Sequence, residues 1–203
     1  MKGTFPRSAD LKEDKLLHKK FLESAKDIAE LLMITDLERN DLGKVCRYGT
    51  VKVKEMRTIE SYKTVYQATS NVQGILNDHV DVFDCIRATF PGGSITGCPK
   101  LRAMEIIEEL EPDRRGIYTG ALGYIDFGGR MDLNILIRSL LVLKDAIYFH
   151  VGSGIVADSS PQREYEETLL KAKAIEYALT HVFGRKDQTV SASHSSSLMI
   201  NPV

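Results

Sequence analysis

The chain has 203 residues, of which 43% are hydrophobic, and its 27 lysines and arginines nearly balance 28 aspartates and glutamates, for a net charge of −1. This length can bury one sizeable core, so we expect one domain or part of a larger one. The near-neutral charge gives no electrostatic reason to expect nucleic acid or an anionic membrane as a partner. The sequence has neither an apolar run of roughly 20 residues nor a signal-peptide core, which predicts a cytoplasmic protein. Its three cysteines form no CxxC pair, so neither a disulfide framework nor a zinc site is predicted.

The first half of the chain predicts helices around a pair of strands. Apolar residues recur at helical spacing from Leu11 to Ile34, which predicts one long helix. The stripe that this helix should bury consists of Leu17, Phe21, Ala25, Ile28 and Leu32. The polar stretch TDLERNDLGKVCRYGT then predicts a loop with a short helical turn. Strands are predicted at VKVKEM and at KTVYQATSNVQGIL, and a helix at DVFDCIRATF.

A loop of small residues, FPGGSITGCP, leads directly into the amphipathic stretch KLRAMEIIEEL. The first backbone N–H groups of a helix lack partners within the helix, and the helix dipole adds positive potential there, so an anion could bind. The same residues could equally form an ordinary turn in which Ser94 or Thr96 caps the helix. The stretch alone leaves both interpretations open.

The second half is rich in strand formers separated by glycine-containing turns. Residues 116–159 predict a series of strands with FGGR and LKDA as hairpin tips, and a last helix is predicted from about Pro161 to Val182. The remaining residues, 184–203, are rich in serine and aperiodic, which predicts a disordered tail. Residues 1–183 are therefore the predicted folded part, of class α+β.

Acidic residues are spaced three apart on two predicted helices. Asp27 and Glu30 lie on the first, and Glu164 and Glu167 lie on the last, where Lys171 follows four residues later. Such pairs usually face solvent. If the four carboxylates converged, a cation would have to neutralise them, and hard oxygen ligands suit Mg²⁺. Spacing alone does not establish convergence.

Isolated cations and glycines among the strands form a second candidate site. Arg138 lies in the apolar stretch NILIRSLL, where a guanidinium needs a partner such as a carboxylate. Gly152 and Gly154 flank Ser153 and would let a ligand approach the main chain. A structural salt bridge and a β-bulge are the alternatives. Tyr118 could be a core ring or a pocket ring.

Five motifs occur in an order that resembles the chorismate-utilising enzymes, the family of anthranilate synthase and aminodeoxychorismate synthase components I. They are KGTFPR, DIAELLMITDLERNDLG, FPGGSITGCPKLRAMEIIEELEP, GALGYIDFGGRMDLNILIRS and GSGIVADSSPQREYEETLLKAKA. Lys2 and the PGGSITG loop are most similar to the aminodeoxychorismate branch. The resemblance implies part of a two-layer β-sandwich flanked by helices, with exposed sheet edges.

The resemblance also implies an activity, a cofactor and a partner. Such an enzyme aminates chorismate at C4 to 4-amino-4-deoxychorismate, a precursor of 4-aminobenzoate and folate, with ammonia from a glutamine amidotransferase. It binds Mg²⁺ through carboxylates, and Glu30 and Glu167 match the ligands, with Asp27 and Glu164 beside them. The metal would bind the ring carboxylate and stabilise charge as the C4 hydroxyl leaves. Lys2 matches the lysine that attacks C2 of chorismate.

Further residues match substrate contacts of the family. Lys171 matches a lysine near the substrate and the metal. The positions that match chorismate contacts are Gly3, Thr4, Gln67, Ser94, Tyr118, Arg138, Gly152, Ser153 and Gly154. The loop before the helix at Lys100 would then help to bind a carboxylate-bearing substrate rather than a phosphate.

The chain departs from the family pattern in two respects. Tyr66 and Gln67 occupy positions where histidines are common, and glutamine cannot carry a proton at neutral pH. Family members are also longer, and the upstream S-P-E segment, whose glutamate protonates the leaving hydroxyl, has no match in this chain. The alternative enzyme is an anthranilate synthase component I, from which Lys2 distinguishes the aminodeoxychorismate branch, and the alternative of another class is a non-catalytic remnant that binds a ligand or partner.

Overall fold

The computed structural model describes residues 1–157, 159–183 and 199–200. The chain divides into two units, Met1–Ser94 and Ile95–Val203. Helices and antiparallel strands occur in both, which agrees with the predicted α+β class. The predicted disorder of residues 184–203 concerns residues that lie outside the described part, apart from the short strand Met199–Ile200. Among the described residues, no helix is both long enough and apolar enough to cross a membrane.

The first unit is built around a three-stranded antiparallel sheet. Its elements in chain order are β1 (Thr4–Pro6), α1 (Leu11–Leu22), α2 (Ala25–Gly43), β2 (Lys52–Ser61), β3 (Val65–Gln73) and α3 (Val82–Thr89). The strand order is β1-β3-β2, so β3 is central. Helix α3 begins with a capping box formed by Asp81 and Asp84.

The core of this unit lies between the sheet and the first two helices. Its buried members are Phe21, Leu31, Tyr66 and Ala68. The ring of Phe5 on β1 stacks on the ring of Phe21, with centroids 5.3 Å apart. Aromatic stacking adds to the hydrophobic stabilisation of the buried area. This contact packs β1 against α1.

The single helix predicted from Leu11 to Ile34 is wrong, because the chain breaks at Glu23–Ser24 into α1 and α2. Ser24 caps α2, where its hydroxyl accepts a hydrogen bond from the Asp27 N–H at 3.3 Å. The break changes the helical phase, so the predicted stripe residues Ile28 and Leu32 are exposed. Leu31 is buried instead.

The polar loop predicted after Ile34 is also wrong, since α2 continues to Gly43. This second half of α2 buries polar side chains, which a search for apolar periodicity misses. The Thr35 hydroxyl donates to the Leu31 carbonyl at 2.7 Å, and the buried Asp41 carboxylate lies 2.8 Å from Lys44 Nζ. Both buried polar side chains therefore have a partner.

The second unit combines two long helices with short strand pairs. Its elements are α4 (Lys100–Leu110), β4 (Ala121–Ile125), β5 (Met131–Ile135), β6 (Leu141–Val142), β7 (Ile147–Tyr148), β8 (Gly154–Ile155), α5 (Pro161–Phe183) and β9 (Met199–Ile200). The pairs β4–β5 and β6–β7 are antiparallel, and their turns confirm the predicted tips FGGR and LKDA. Strand β8 pairs in parallel with β9.

The β4–β5 hairpin has a close backbone approach at one position and exposed side chains along its length. A Cβ added to Gly123 would lie 1.8 Å from the Asp132 carbonyl oxygen, so only glycine fits. Every residue of β4 is exposed, including Leu122 and Tyr124. Because successive side chains point to opposite faces of a strand, both faces of this hairpin expose side chains, apolar ones among them.

Candidate functional site

The predicted site residues divide between the two units. Lys2, Gly3, Thr4, Asp27, Glu30, Gln67 and Ser94 lie in the first, and Tyr118, Arg138, Gly152, Ser153, Gly154, Glu164, Glu167 and Lys171 lie in the second. Each unit brings some of its own members into contact.

The residues around Lys2 are fixed to the central strand of the first unit. The Lys2 backbone N–H donates to the Ala68 carbonyl at 2.9 Å, and the Ala68 N–H donates to the Gly3 carbonyl at 3.4 Å. Thr4 lies opposite Gln67 in the β1–β3 register. Four predicted site residues therefore lie together, with Lys2, Gly3 and Thr4 at the start of β1 and Gln67 on β3.

The Lys2 side chain contacts the predicted metal ligand Glu30. Lys2 Nζ lies 3.5 Å from Glu30 Oε2, and Lys26 Nζ lies 3.7 Å from Glu30 Oε1. The side chains of Lys2 and Glu30 are only 23% and 15% exposed, whereas that of Lys26 is 61% exposed. Two ammonium groups thus face one partly buried carboxylate.

Gly3 and Asp27 approach each other closely beside this ion pair. Gly3 has φ +86°, and a Cβ added there would lie 2.9 Å from Asp27 Oδ1 and 3.1 Å from the Phe21 ring. The position therefore requires glycine both for its backbone angle and for space. Asp27 Oδ2 accepts a hydrogen bond from the Ser24 hydroxyl. The start of α2 is thereby packed against the backbone that follows Lys2.

Tyr66 and Gln67, the two departures from the family pattern, have different surroundings. Tyr66 is buried, and its hydroxyl donates to Asp14 Oδ2 at 2.7 Å. Asp14 also accepts hydrogen bonds from Arg7 Nη2 at 2.8 Å and from the Ser8 N–H at 3.1 Å. The Arg7 hydrogen bond, followed by that of Tyr66, holds the pKa of Asp14 well below its usual range. Gln67 is half-buried in the middle of the sheet.

Ser94 lies in a 3-10 turn, Gly93–Ile95, within the glycine-rich loop. A Cβ added to Gly93 would lie 2.3 Å from Leu37 Cδ2, so the loop packs directly on α2. Leu37 follows Glu30 by seven residues, which places both on one side of α2. Helix α4 starts at Lys100 with Pro99 as its N-cap, so neither Ser94 nor Thr96 caps it.

In the second unit, Lys171 links a helix to the glycine-containing loop. Lys171 Nζ lies 2.6 Å from Glu167 Oε1 and donates to the Gly152 carbonyl at 2.9 Å. Arg138 lies beyond the end of β5, at φ +56°, and its Nη1 donates to the Lys171 carbonyl at 3.1 Å. Four predicted residues are thus in direct contact around the middle of α5.

Glu164 is buried in contact with the same loop. It accepts hydrogen bonds from the Ser153 hydroxyl and, at 2.8 Å, from the Ser159 hydroxyl. Glu164 and Ser153 are 6% and 1% exposed. A buried carboxylate needs such donors, since desolvation otherwise disfavours its charge.

Tyr118 is buried and stacks on His150, with ring centroids 5.4 Å apart and an angle of 23° between the rings. Burial is the largest cause that raises the pKa of Tyr118. The phenol is therefore neutral at physiological pH and can donate a hydrogen bond. No spacing pattern in the sequence indicates that His150 is the neighbour of Tyr118.

The carboxylates have the donor chemistry that Mg²⁺ requires, since all are hard oxygen ligands. Asp27 and Glu30 lie in the first two turns of α2, and Glu164 and Glu167 lie in the first two turns of α5. No group of three or more histidine, cysteine, aspartate or glutamate side chains that could bind a metal occurs among the described residues.

Comparison with known proteins identifies relatives along most of the chain. Residues 1–177 match the family described as chorismate binding enzyme. An anthranilate synthase component I-like protein of Synechocystis is 52% identical over 177 residues, 87% of this chain and 36% of the relative. Aminodeoxychorismate synthase component 1 of Bacillus subtilis is 48% identical over 177 residues, 87% of this chain and 38% of the relative.

A solved structure agrees with these sequence matches. Anthranilate synthase component I from Streptococcus pneumoniae superposes with a TM-score of 0.72 at 36% identity, over 84% of this chain and 41% of that one. The chain spans less than half the length of each of these relatives. The family match along residues 1–177 and the superposition agree with the motifs and the α+β fold, and the chain belongs to the chorismate binding enzyme family.

Proposed function

We propose that the chain is the metal- and substrate-binding part of an aminodeoxychorismate synthase component I. This enzyme aminates chorismate at C4, in the cytoplasm, with ammonia from a glutamine amidotransferase, and serves 4-aminobenzoate and folate synthesis. The observation that carries the proposal is Lys2. Its backbone is hydrogen-bonded to β3, and its side chain lies 3.5 Å from Glu30. A nucleophile held in this way retains the orientation that makes attack fast.

The proposed reaction uses Lys2 as a transient covalent group. The Lys2 ammonium loses a proton, and Nζ forms a bond to C2 of chorismate while both ring double bonds shift and the C4–O bond breaks. The C4 hydroxyl takes up that proton and leaves as water. Ammonia then bonds to C4, both double bonds shift back, the Lys2–C2 bond breaks, and a proton passes from the new C4 nitrogen to Nζ. The products are 4-amino-4-deoxychorismate, water and a free lysine.

The remaining predicted residues are proposed to bind the substrate. Arg138 supplies a guanidinium for a carboxylate, Tyr118 a neutral hydroxyl, and Lys171 a positive charge beside Gly152. The other proposed contacts are Gly3, Thr4, Gln67, Ser94, Ser153 and Gly154. Mg²⁺ is the proposed cofactor, with Glu30 and Glu167 as ligands and Asp27 and Glu164 as supporting carboxylates. When bound, it would polarise the ring carboxylate of chorismate.

Anthranilate synthase component I is the second candidate. Relatives with that name are 46% to 48% identical to this chain, as close as the aminodeoxychorismate synthases at 48%. The two activities differ in the carbon that is aminated. Product identity therefore separates them.

The decisive experiment supplies the chain with chorismate, Mg²⁺ and ammonium and identifies the product by chromatography. We expect 4-amino-4-deoxychorismate, and we expect Lys2→Ala to reduce its formation at least about 100-fold, the scale of one lost catalytic group. Lys26→Ala is the matched control, because Lys26 also pairs with Glu30 but is mostly exposed. Anthranilate as the product, or full activity of Lys2→Ala, would contradict the proposal.

Turnover by the chain alone is expected to be slow. A positioned acid that protonates the leaving group is typically worth 10²–10⁴-fold, and the chain has no match to the family's S-P-E segment. Adding the separately expressed upstream part of the Bacillus subtilis relative should raise the rate. Chorismate binding without turnover, even after that addition, would support the non-catalytic alternative.

A further inference from the structure

The motif IIEELEPDRRG, which follows the glycine-rich loop, contains a partly buried ion pair that the proposed reaction does not use. Arg115 Nε and Nη2 donate to the two carboxylate oxygens of Glu111 at 2.9 and 2.7 Å. The two side chains are 14% and 5% exposed. A two-point contact between guanidinium and carboxylate fixes the plane of the arginine as well as its charge.

The third nitrogen of this guanidinium connects two segments of the second unit. Arg115 Nη1 donates to the Ile95 carbonyl at 2.8 Å and lies 3.3 Å from the Thr119 hydroxyl. Ile95 follows Ser94 in the glycine-rich loop, and Thr119 follows Tyr118. One side chain therefore contacts the end of one proposed substrate-binding segment and the centre of another.

The turn that Arg115 contacts has a strained backbone. Thr119 is buried at φ +62°, a conformation that side chains with a branched Cβ rarely adopt. Its hydroxyl donates to the Tyr118 carbonyl at 2.6 Å, and its N–H donates to the Leu136 carbonyl at 2.9 Å. Such a conformation persists only where surrounding contacts impose it, and the Arg115 hydrogen bond is one of those contacts.

We propose that Glu111 and Arg115 are positioning residues that hold the Ile95 end of the glycine-rich loop and the Tyr118–Thr119 turn in one fixed arrangement for a carboxylate-bearing substrate. The expected effect on substrate binding rests on the proposed function. The contacts by which Arg115 joins the two segments do not depend on that function. Glu111 orients the guanidinium, and Nη1 then joins the loop carbonyl to the turn.

The first test measures amide hydrogen exchange in the free chain by mass spectrometry. Arg115→Lys keeps the positive charge but cannot make the two-point contact and the Ile95 contact together. We expect exchange to accelerate roughly tenfold in peptides covering residues 95–98 and 116–120, and to stay unchanged in the first unit. The control is Glu105→Gln, which removes an exposed ion pair with Arg102 on α4. Unchanged exchange in either segment, or acceleration throughout the chain, would overturn the proposal.

The second test is a double-mutant cycle on chorismate binding, measured by calorimetry. If Arg115 acts through the turn, Arg115→Lys should weaken binding roughly tenfold in the parent chain but less than about twofold in a Tyr118→Ala background. Equal losses in both backgrounds would show a general structural effect and would contradict the proposal. If the parent chain does not bind chorismate, the proposed function fails, and hydrogen exchange alone decides whether the pair links the two segments.

Discussion

Helix α2 in the first unit and helix α5 in the second each carry two carboxylates near their start, and in both helices the two carboxylates have different kinds of partner. In each pair of carboxylates three residues apart, the first accepts a hydrogen bond from serine and the second faces lysine. Asp27 accepts from Ser24, and Glu164 accepts from Ser153 and Ser159. Glu30 lies 3.5 Å from Lys2, and Glu167 lies 2.6 Å from Lys171.

The difference within each pair indicates which carboxylate can change partner. A serine hydroxyl is a donor on a short side chain, so it holds the carboxylate close to the serine backbone. A lysine ammonium is a hydrated point charge on a flexible stem and can be replaced by another cation. We therefore expect the second acid of each pair, Glu30 or Glu167, to be the one that binds a metal.

The largest expected effect concerns this second acid. Glu30→Gln and Glu167→Gln should each weaken Mg²⁺ binding roughly 100-fold, because each removes a charged ligand from a hard cation. Asp27→Asn should weaken it less than about tenfold if Asp27 acts through water. Calorimetric titration with Mg²⁺ in the presence of chorismate measures the three values. Glu166→Gln on α5 is the control, and equal affinities for all variants would rule out the metal site.

The next largest expected effect is on stability and concerns the first acid of each pair, Asp27 or Glu164. Its size should differ between the two units. Glu164→Ala should lower the free energy of unfolding by about 1–3 kcal/mol, because it leaves the buried Ser153 hydroxyl without this acceptor. Asp27→Ala should cost less than about 1 kcal/mol, since Asp27 is only partly buried and water can replace it. Urea unfolding followed by circular dichroism measures both. Glu164→Gln, which keeps an acceptor, should recover part of the loss, and equal costs would contradict the distinction.

The smallest expected effect is a pH dependence of stability that is caused by Asp14, a carboxylate paired with the arginine Arg7. Because the folded-state pKa of Asp14 is lowered, mainly by Arg7, its stabilising contribution is fully present above the ordinary carboxyl pKa of about 3.9. That contribution is lost as the pH falls through the lower folded-state value. The urea midpoints of the parent and Asp14→Asn should therefore differ by a constant amount from about pH 7 to 5 and converge below about pH 4. A difference that vanished already at pH 6 would exclude this role for Asp14.

The sequence predicted the hairpin tips correctly, because turn residues act within a few positions of the chain. It did not predict the break before Ser24, since apolar residues continue at near-helical spacing across it. It also did not predict the polar second half of α2, where Asp41 is buried with Lys44 as its partner. Apolar periodicity carries no information about buried polar pairs.

The contacts within the candidate site were likewise only partly predictable from the sequence. The Glu167–Lys171 pair follows from spacing on one helix. The contact of Lys2 with Glu30 does not, because it depends on β1 pairing with β3 and on α2 packing against them. The Glu111–Arg115 pair has the same four-residue spacing as Glu167–Lys171, but EPDRRG indicated only the end of a helix. Spacing could have identified that pair, though not its contact with Ile95.

The β4–β5 hairpin has a practical consequence for the handling of this protein. Leu122 and Tyr124 are 63% and 60% exposed, and the hairpin has only two strands among the described residues. Exposed apolar side chains next to unpaired strand edges favour pairing between molecules. A concentrated solution of the chain is therefore expected to self-associate through this hairpin, and Leu122→Lys should raise its solubility while leaving the backbone at Gly123 unchanged.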